Sequence, residues 1–166
     1  LRLLATSDTF RPQFATHDQI LSRIFSLLRQ KLEEKENGDN DDDCDVMVYQ
    51  LWTVLLNCVT QCETNVQHLI SLTGNFDENC DKNNESLVDL AARTIDLLFD
   101  DRECIKVTCT TLLNAMTSHA PFQNHVLHNR KLLMLLLEAY MDQEEQVKVK
   151  NGDDDDDDDV MIGDDD

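Results

Sequence analysis

Residues 55–66 read LLNCVTQCETNV and residues 112–126 read LLNAMTSHAPFQNHV. Both stretches put two leucines and an asparagine at the end of an apolar helical pattern, break it over a few polar residues, and resume it in a short segment. Upstream of the first, residues 46–62 set Val48, Leu51, Trp52, Leu55 and Val59 on one helical face, with Leu56, Cys58 and Cys62 beside it. So much apolar circumference predicts a helix covered on more than one side. Downstream, Val66, Leu69 and Ile70 mark a short helix that stops near Gly74, a glycine suited to a C-cap. Ser86 is placed to cap a helix with Leu87, Ala91, Ile95 and Leu98 inward. Ile105, Cys109, Leu112 and Met116 define another, and Pro121 suits the first turn of a short helix holding Phe122 and Val126. Asn129 can cap the run from 130 to about 144, where Leu132 to Leu137 are apolar without a break, as in a deeply buried helix.

The same order occurs twice: a long helix ending in LLN, a short helix, then a helix of three to four turns. One copy joins 46–62, 64–72 and 86–99, and the next joins 102–118, 121–128 and 130–144. A truncated copy precedes them, with 1–7 as the end of a long helix, 11–16 as the short one and 19–32 as the third. That third helix carries Ile20, Leu21, Ile24, Phe25, Leu28 and Leu32 on one stripe behind Thr16-His17-Asp18-Gln19, which has the form of a capping box; Thr64-Asn65-Val66-Gln67 repeats that form.

Composition agrees with an all-α chain. Hydrophobic residues make up 41% of the 166 and aromatic residues only 5%, so the core must be aliphatic, and no β-branched run alternates with period two. The net charge of −20 is concentrated between Glu33 and Asp45, between Gly74 and Ser86, and from Asp153 to Asp166. Outside these stretches acids and bases balance. Like-charged runs cannot bury apolar surface, so inserts at about 34–45 and 74–85 and a tail at 146–166 are expected to be disordered, beside a domain spanning 1–145. The negative charge argues against direct nucleic-acid binding. Neither a signal peptide nor an apolar run of spanning length is present, so no membrane role is expected and the six cysteines read as reduced, mostly buried thiols. The chain opens on Leu1 in mid-helix style, which reads as a piece of a longer protein.

With about a dozen residues removed for each insert, the period falls to roughly 40–47 residues, the range of helical-repeat arrays. LWTVLLNCV at 51–59, followed by ETNVQHLI at 63–70, resembles the third helix of an armadillo repeat leading into the first helix of the next, and TTLLNAMTSHAPFQNHV at 110–126 fits the same frame. The resemblance implies an armadillo-like α-solenoid fragment of two full repeats plus a partial one. Within that group, RECIKVTCTTLL at 102–113, behind an acidic insert and ahead of a leucine-rich helix, is similar in order to the closing repeats of the C-terminal domain of the wings-apart-like (Wapl) cohesin-release proteins. The glycine usual between the two short elements is missing at His17-Asp18 and at Asn129, and the Asp-rich tail lies outside that pattern.

For function, the resemblance implies a non-enzymatic protein-interaction module. Asn57 and Asn114 share a repeat position at which armadillo-like proteins hydrogen-bond a bound peptide's backbone; the plainer reading is that each amide bonds a nearby carbonyl and fixes a turn. Trp52 can stack on a partner or pack in the core. Under the Wapl-like reading the partners are cohesin subunits or regulators and the location is nuclear, with a cytoplasmic armadillo-type adaptor as the alternative. A different class is an acidic carrier whose inserts hold a basic client. Cys58-x3-Cys62 and Cys104-x4-Cys109, with His119, His125 and His128, lack the tight knuckle spacing of structural zinc, and no nucleophile sits beside a base in an electropositive setting, so no metal, cofactor or enzyme activity is expected. Val160-Met161-Ile162 between acids resembles a SUMO-interacting segment, or is a solvated tail with three incidental hydrophobes.

Overall fold

The computed structural model describes residues 5–16, 18–38, 42–73, 85–117 and 119–152, and among these every regular element is helical. In chain order they are α1 (Gln13–Thr16), α2 (Asp18–Glu36), α3 (Asp42–Val59), α4 (Glu63–Thr73), α5 (Leu87–Leu97), α6 (Arg102–Met116), α7 (Ala120–His128) and α8 (Arg130–Gly152). The all-α expectation therefore holds.

Most of the predicted stripe positions are buried, with Ile20, Cys109 and Met116 half-buried. Leu21, Ile24, Phe25, Leu28 and Leu32 of α2, Val66, Leu69 and Ile70 of α4, and Leu87, Ala91 and Ile95 of α5 all lie in the core. On α3 the core takes Val48, Leu51, Trp52, Val54, Leu55, Cys58 and Val59, because α2, α4 and α6 all pack against this helix. Elements three apart in the chain lie side by side: α1 with α4, α2 with α5, α3 with α6, and α5 with α8. The buried side chains form one connected cluster running from Ala5 to Leu135. The buried mid-helix threonines are satisfied locally. Thr94, Thr108 and Thr111 each donate to the carbonyl four residues earlier, at 2.8 Å, so these mid-helix hydroxyls leave no open donor.

Helix ends follow the side chains available. Ser86 and Asp89 make a reciprocal capping box on α5, Asp101 accepts from the Cys104 amide to start α6, and Asn129 accepts from the Leu132 amide to start α8. Pro121 occupies the first turn of α7. The Thr64 capping box does not form: α4 already begins at Glu63, and the turn before it is made by Gln61 in the left-handed region at φ +57. Thr16 closes α1, and the capping box expected at 16–19 falls on residues outside the description, as does Gly74.

The acidic stretches need a larger correction. Of the insert expected at 34–45, residues 34–36 close α2 and residues 42–45 open α3. Aspartates in the first turn of α3 meet the positive end of the helix dipole, which offsets their mutual repulsion. Lys35 donates to Asp45 at 2.9 Å, and the buried Cys44 thiol donates to the Lys31 carbonyl at 3.3 Å. Arg93 of α5 holds Glu36 through two bonds of 3.0 Å and Glu85 through bonds of 2.9 and 2.7 Å. Through this clamp the end of α2 is tied to α5. The tail is corrected at its start, because α8 continues to Gly152 rather than ending near 144. Residues 74–84 and 153–166, including Val160-Met161-Ile162, lie outside the described residues.

The apolar run of α8 is not deeply buried. Leu132 and Leu135 enter the core, whereas Leu133, Met134 and Leu137 stay exposed, because only α5 and α7 pack substantially on this helix. Tyr140 and Met141, further along the same helix, are exposed as well.

Candidate partner-docking surface

Because α3 and α6 pack side by side, they carry their equivalent positions on one face. With a spacing of 57 residues, Val48 matches Ile105, Leu55 matches Leu112 and Cys58 matches Ala115, and every one of these is buried. In the same register Asn57 matches Asn114, and both are half-buried on adjoining helices. Leu113, beside Asn114, is exposed, while Leu56, beside Asn57, is half-buried. Partly accessible amide and aliphatic groups thus stand at matching positions of two packed helices.

The carbonyl-bonding role that would make these amides purely structural belongs to other residues. Asn65, fully buried in α4, donates to the Cys58 carbonyl at 2.8 Å and to the Arg11 carbonyl at 2.7 Å. Gln123 of α7 donates to the Met116 carbonyl at 2.7 Å. Each amide thus reaches back seven residues to the last turn of the preceding long helix, and Asn65 also joins α4 to the chain ahead of α1. Among the described residues the side-chain amides of Asn57 and Asn114 make no hydrogen bond. Sequence reasoning missed Asn65 and Gln123. The available signal was an amide in the first turn after each LLN break; at Asn65 it was absorbed into the capping-box reading of residues 64–67, and at Gln123 it drew no reading.

Trp52 is placed elsewhere. It is 0% exposed, and its indole Nε1 donates to the Thr94 hydroxyl at 3.0 Å across the α3–α5 contact. As a platform for a partner it is corrected to a core residue, since no face of the ring reaches solvent.

A second polar network fastens α5 to α7 and α8. The Ser86 hydroxyl lies 3.3 Å from His125 Nε2, and the Asn129 amide donates to Asp89 at 3.3 Å. His128 lies 2.6 Å from the Asn124 carbonyl, so two of the three clustered histidines are engaged with neighbouring groups. No group of three or more His, Cys, Asp or Glu able to hold a metal occurs among the described residues.

Burial pushes the thiols of Cys58 and Cys104 up from 9.0 to about 12, and those of Cys44 and Cys109 upward as well. All four are therefore protonated and weakly nucleophilic at neutral pH. The linkage consequence follows. Below pH 9 folded and unfolded chains both hold the Cys58 and Cys104 protons, whereas between pH 9 and 12 the unfolded chain loses them first, so stability falls as pH rises through that window. Urea unfolding at pH 8 and pH 10 should show a lower midpoint at pH 10, and Cys58→Ala combined with Cys104→Ala should flatten that decline.

No helix among the described residues is long and apolar enough to cross a membrane. Compared with known proteins, the chain matches no protein family, no curated protein and no solved structure.

Proposed function

We propose that the chain is part of an armadillo-like α-solenoid, two full repeats and a partial one, that works as a non-enzymatic protein-interaction module. A peptide segment docks along α3 and α6, and Asn57 and Asn114 bond its backbone. The observation that carries this reading is that two amides at one repeat position, on adjoining helices, make no internal bond among the described residues, while Asn65 and Gln123 supply the turn-fixing bonds. The side-by-side packing of elements three apart supports the solenoid: helices that bury apolar surface against their counterparts in the next copy, besides their neighbours in the chain, follow the nearest-neighbour logic of such arrays.

The partner class follows from the resemblance of residues 102–113 to the closing repeats of Wapl-like proteins, so the favoured partners are cohesin subunits or regulators, in the nucleus. The carrier reading has less support, because acids of the first insert are engaged internally by Lys35 and Arg93.

Replacing both asparagines, Asn57→Ala with Asn114→Ala, should leave the melting temperature within about 3 °C, because half-buried sites away from caps and the core cost little. The same change should weaken capture of cohesin subunits from nuclear extract about tenfold or more, the loss of two backbone hydrogen bonds at a desolvated interface. Undiminished capture would refute the groove. Absence of cohesin subunits with the unaltered full-length protein would remove the Wapl-like partner class.

A further inference from the structure

Resting on the repeat reading above, we propose that residues 156–162 form the first turns of a third helix of the α3 and α6 kind, and that this segment of the chain docks Ile162 in the groove between α6 and α8.

The occupant is named by a duplication in the sequence. Residues 37–48 read NGDNDDDCDVMV and residues 151–162 read NGDDDDDDDVMI, with nine of the twelve positions identical and Ile162 standing for Val48. Aspartate runs match one another readily, but here Asn-Gly at one end and Val-Met before a β-branched residue at the other stay in register across the run. The offset of 114 residues is twice the 57-residue spacing that relates α3 to α6, so the second stretch falls where a further copy of the same step belongs.

What the first stretch does is visible. The helix α2 ends at Glu36, Gly38 turns the chain at φ +87, a conformation suited to glycine, and α3 begins at Asp42. Its first turn is aspartate-rich, as the positive end of a helix dipole favours. In the same way α8 runs on to Gly152, which brings the chain to the corresponding point. The triplet that follows has a definite polarity in α3: Val46 and Met47 are 58% and 46% exposed, whereas Val48 is 1% exposed. Ile105, the counterpart of Val48 on α6, is buried too. A helix starting at Asp156 in this register turns Ile162 inward and leaves Val160 and Met161 outward.

A seat for such a helix exists. The helix α2 packs on α3 and α5 packs on α6, each on the long helix that follows it, and no helix follows α8 among the described residues. The groove left there measures about 590 Å3, with Ile105 and Cys109 of α6 on one wall and Leu136, Ala139 and Tyr140 of α8 on the other. Positions covered one copy earlier are uncovered here. Trp52 is fully buried while its counterpart Cys109 is half-buried; Ala92 and Ile95 are buried while Leu136 and Ala139, 44 residues on, are half-buried. Arg102 and Glu103 of α6 line one cleft with Asp45 of α3, so the first turns of these helices stand level. A third helix in the same register sets Ile162 beside Ile105, on the wall of the groove. Register rather than charge fixes the occupant, and its tether to α8 keeps its local concentration high, so a short segment can hold where a free peptide would not.

The test uses the full chain. Ile162→Asp should speed iodoacetamide alkylation of Cys109, read by peptide mass spectrometry, about tenfold, the worth of one buried isoleucine. Val160→Asp, at the position equivalent to exposed Val46, should change it less than about twofold. Labelling of Cys104, which is fully buried, should stay slow in both. Amide hydrogen exchange at 160–163 should be slowed in the unaltered chain and released by Ile162→Asp. Equal effects of the two variants on Cys109, or unslowed exchange at 160–163, overturns the proposal. So does protection of Cys109 that grows with protein concentration over about a hundredfold range, which would assign the groove to a second copy. Neither variant touches Asn57 or Asn114 and no partner is present, so failure here and failure of the α3–α6 docking face are scored separately.

Discussion

Trp52→Ala is expected to be the most damaging single substitution in the chain, lowering the free energy of unfolding by about 3–5 kcal/mol. The side chain is the largest of those fully buried, and its removal opens a cavity where α3, α5 and α6 meet. It also takes away the donor that Thr94 accepts, while Thr94 keeps its own bond to the Leu90 carbonyl. For a chain of this size the loss corresponds to a melting temperature lowered by roughly 10 °C. Trp52→Phe separates the contributions: most of the volume stays and the Thr94 hydroxyl loses a partner, a cost of about 1–2 kcal/mol. Melting of Trp52→Ala within 2 °C of the unaltered chain would show that the indole is not sealed, and would return it to the list of partner-contacting groups.

Asn65→Ala should come next, at about 2–4 kcal/mol, from two lost hydrogen bonds and two carbonyls left buried without their donor. Its effect should exceed that of Gln123→Ala, about 1 kcal/mol, because Gln123 is half-buried and makes one such bond. Asn65→Asp tests the direction of the bonds: shape is kept, but a carboxylate then faces two carbonyl oxygens, so the loss should be at least that of alanine. Denaturant titration with a constant m-value reads these differences. Equal losses at Asn65 and Gln123 would mean that the bond to Arg11 contributes nothing, and that the link from α4 to the first copy is made by apolar contact alone.

The acidic segment around Asp42 shows how charge counting misleads when position is ignored. Eight acids within 33–45 read as a solvated loop, yet residues up to Glu36 and from Asp42 onward are helical. What rescues them is placement. Aspartates gather at a helix N-terminus, Lys35 pairs with Asp45, and Arg93, 57 residues from Glu36, arrives from another helix. Only the first of these is a local property, and it was legible as Asp followed by an apolar pattern. The Arg93 clamp depends on the packing of α5 against α2, and no window of sequence contains it.

The candidate site divides in the same way. Asn57 and Asn114 could be picked out as equivalent positions, since a repeated LLN step is a local pattern. Whether their amides were already engaged could not, because the competing donors, Asn65 and Gln123, act across a turn whose path is set by Gln61 and by the contacts of α4 and α7. Trp52 stayed open between stacking on a partner and packing in the core, because its place on an apolar helical face does not say which helix closes over it. The groove beside α8 was foreshadowed by an apolar run too long for one buried stripe. Its walls were not, since they come from helices separated in the chain by α7.

Sequence alone determined the helical class, most of the inward stripe positions, and the caps at Ser86, Asn129 and Pro121. All of these arise from interactions within four residues, where helical periodicity and side-chain chemistry suffice. Tertiary structure decided which acids fold, which amides are already engaged, that Trp52 is core, and which apolar faces of α6 and α8 stay open. Those outcomes depend on which helix lies against which, and burial and ion pairing between distant segments exist only once the helices have packed.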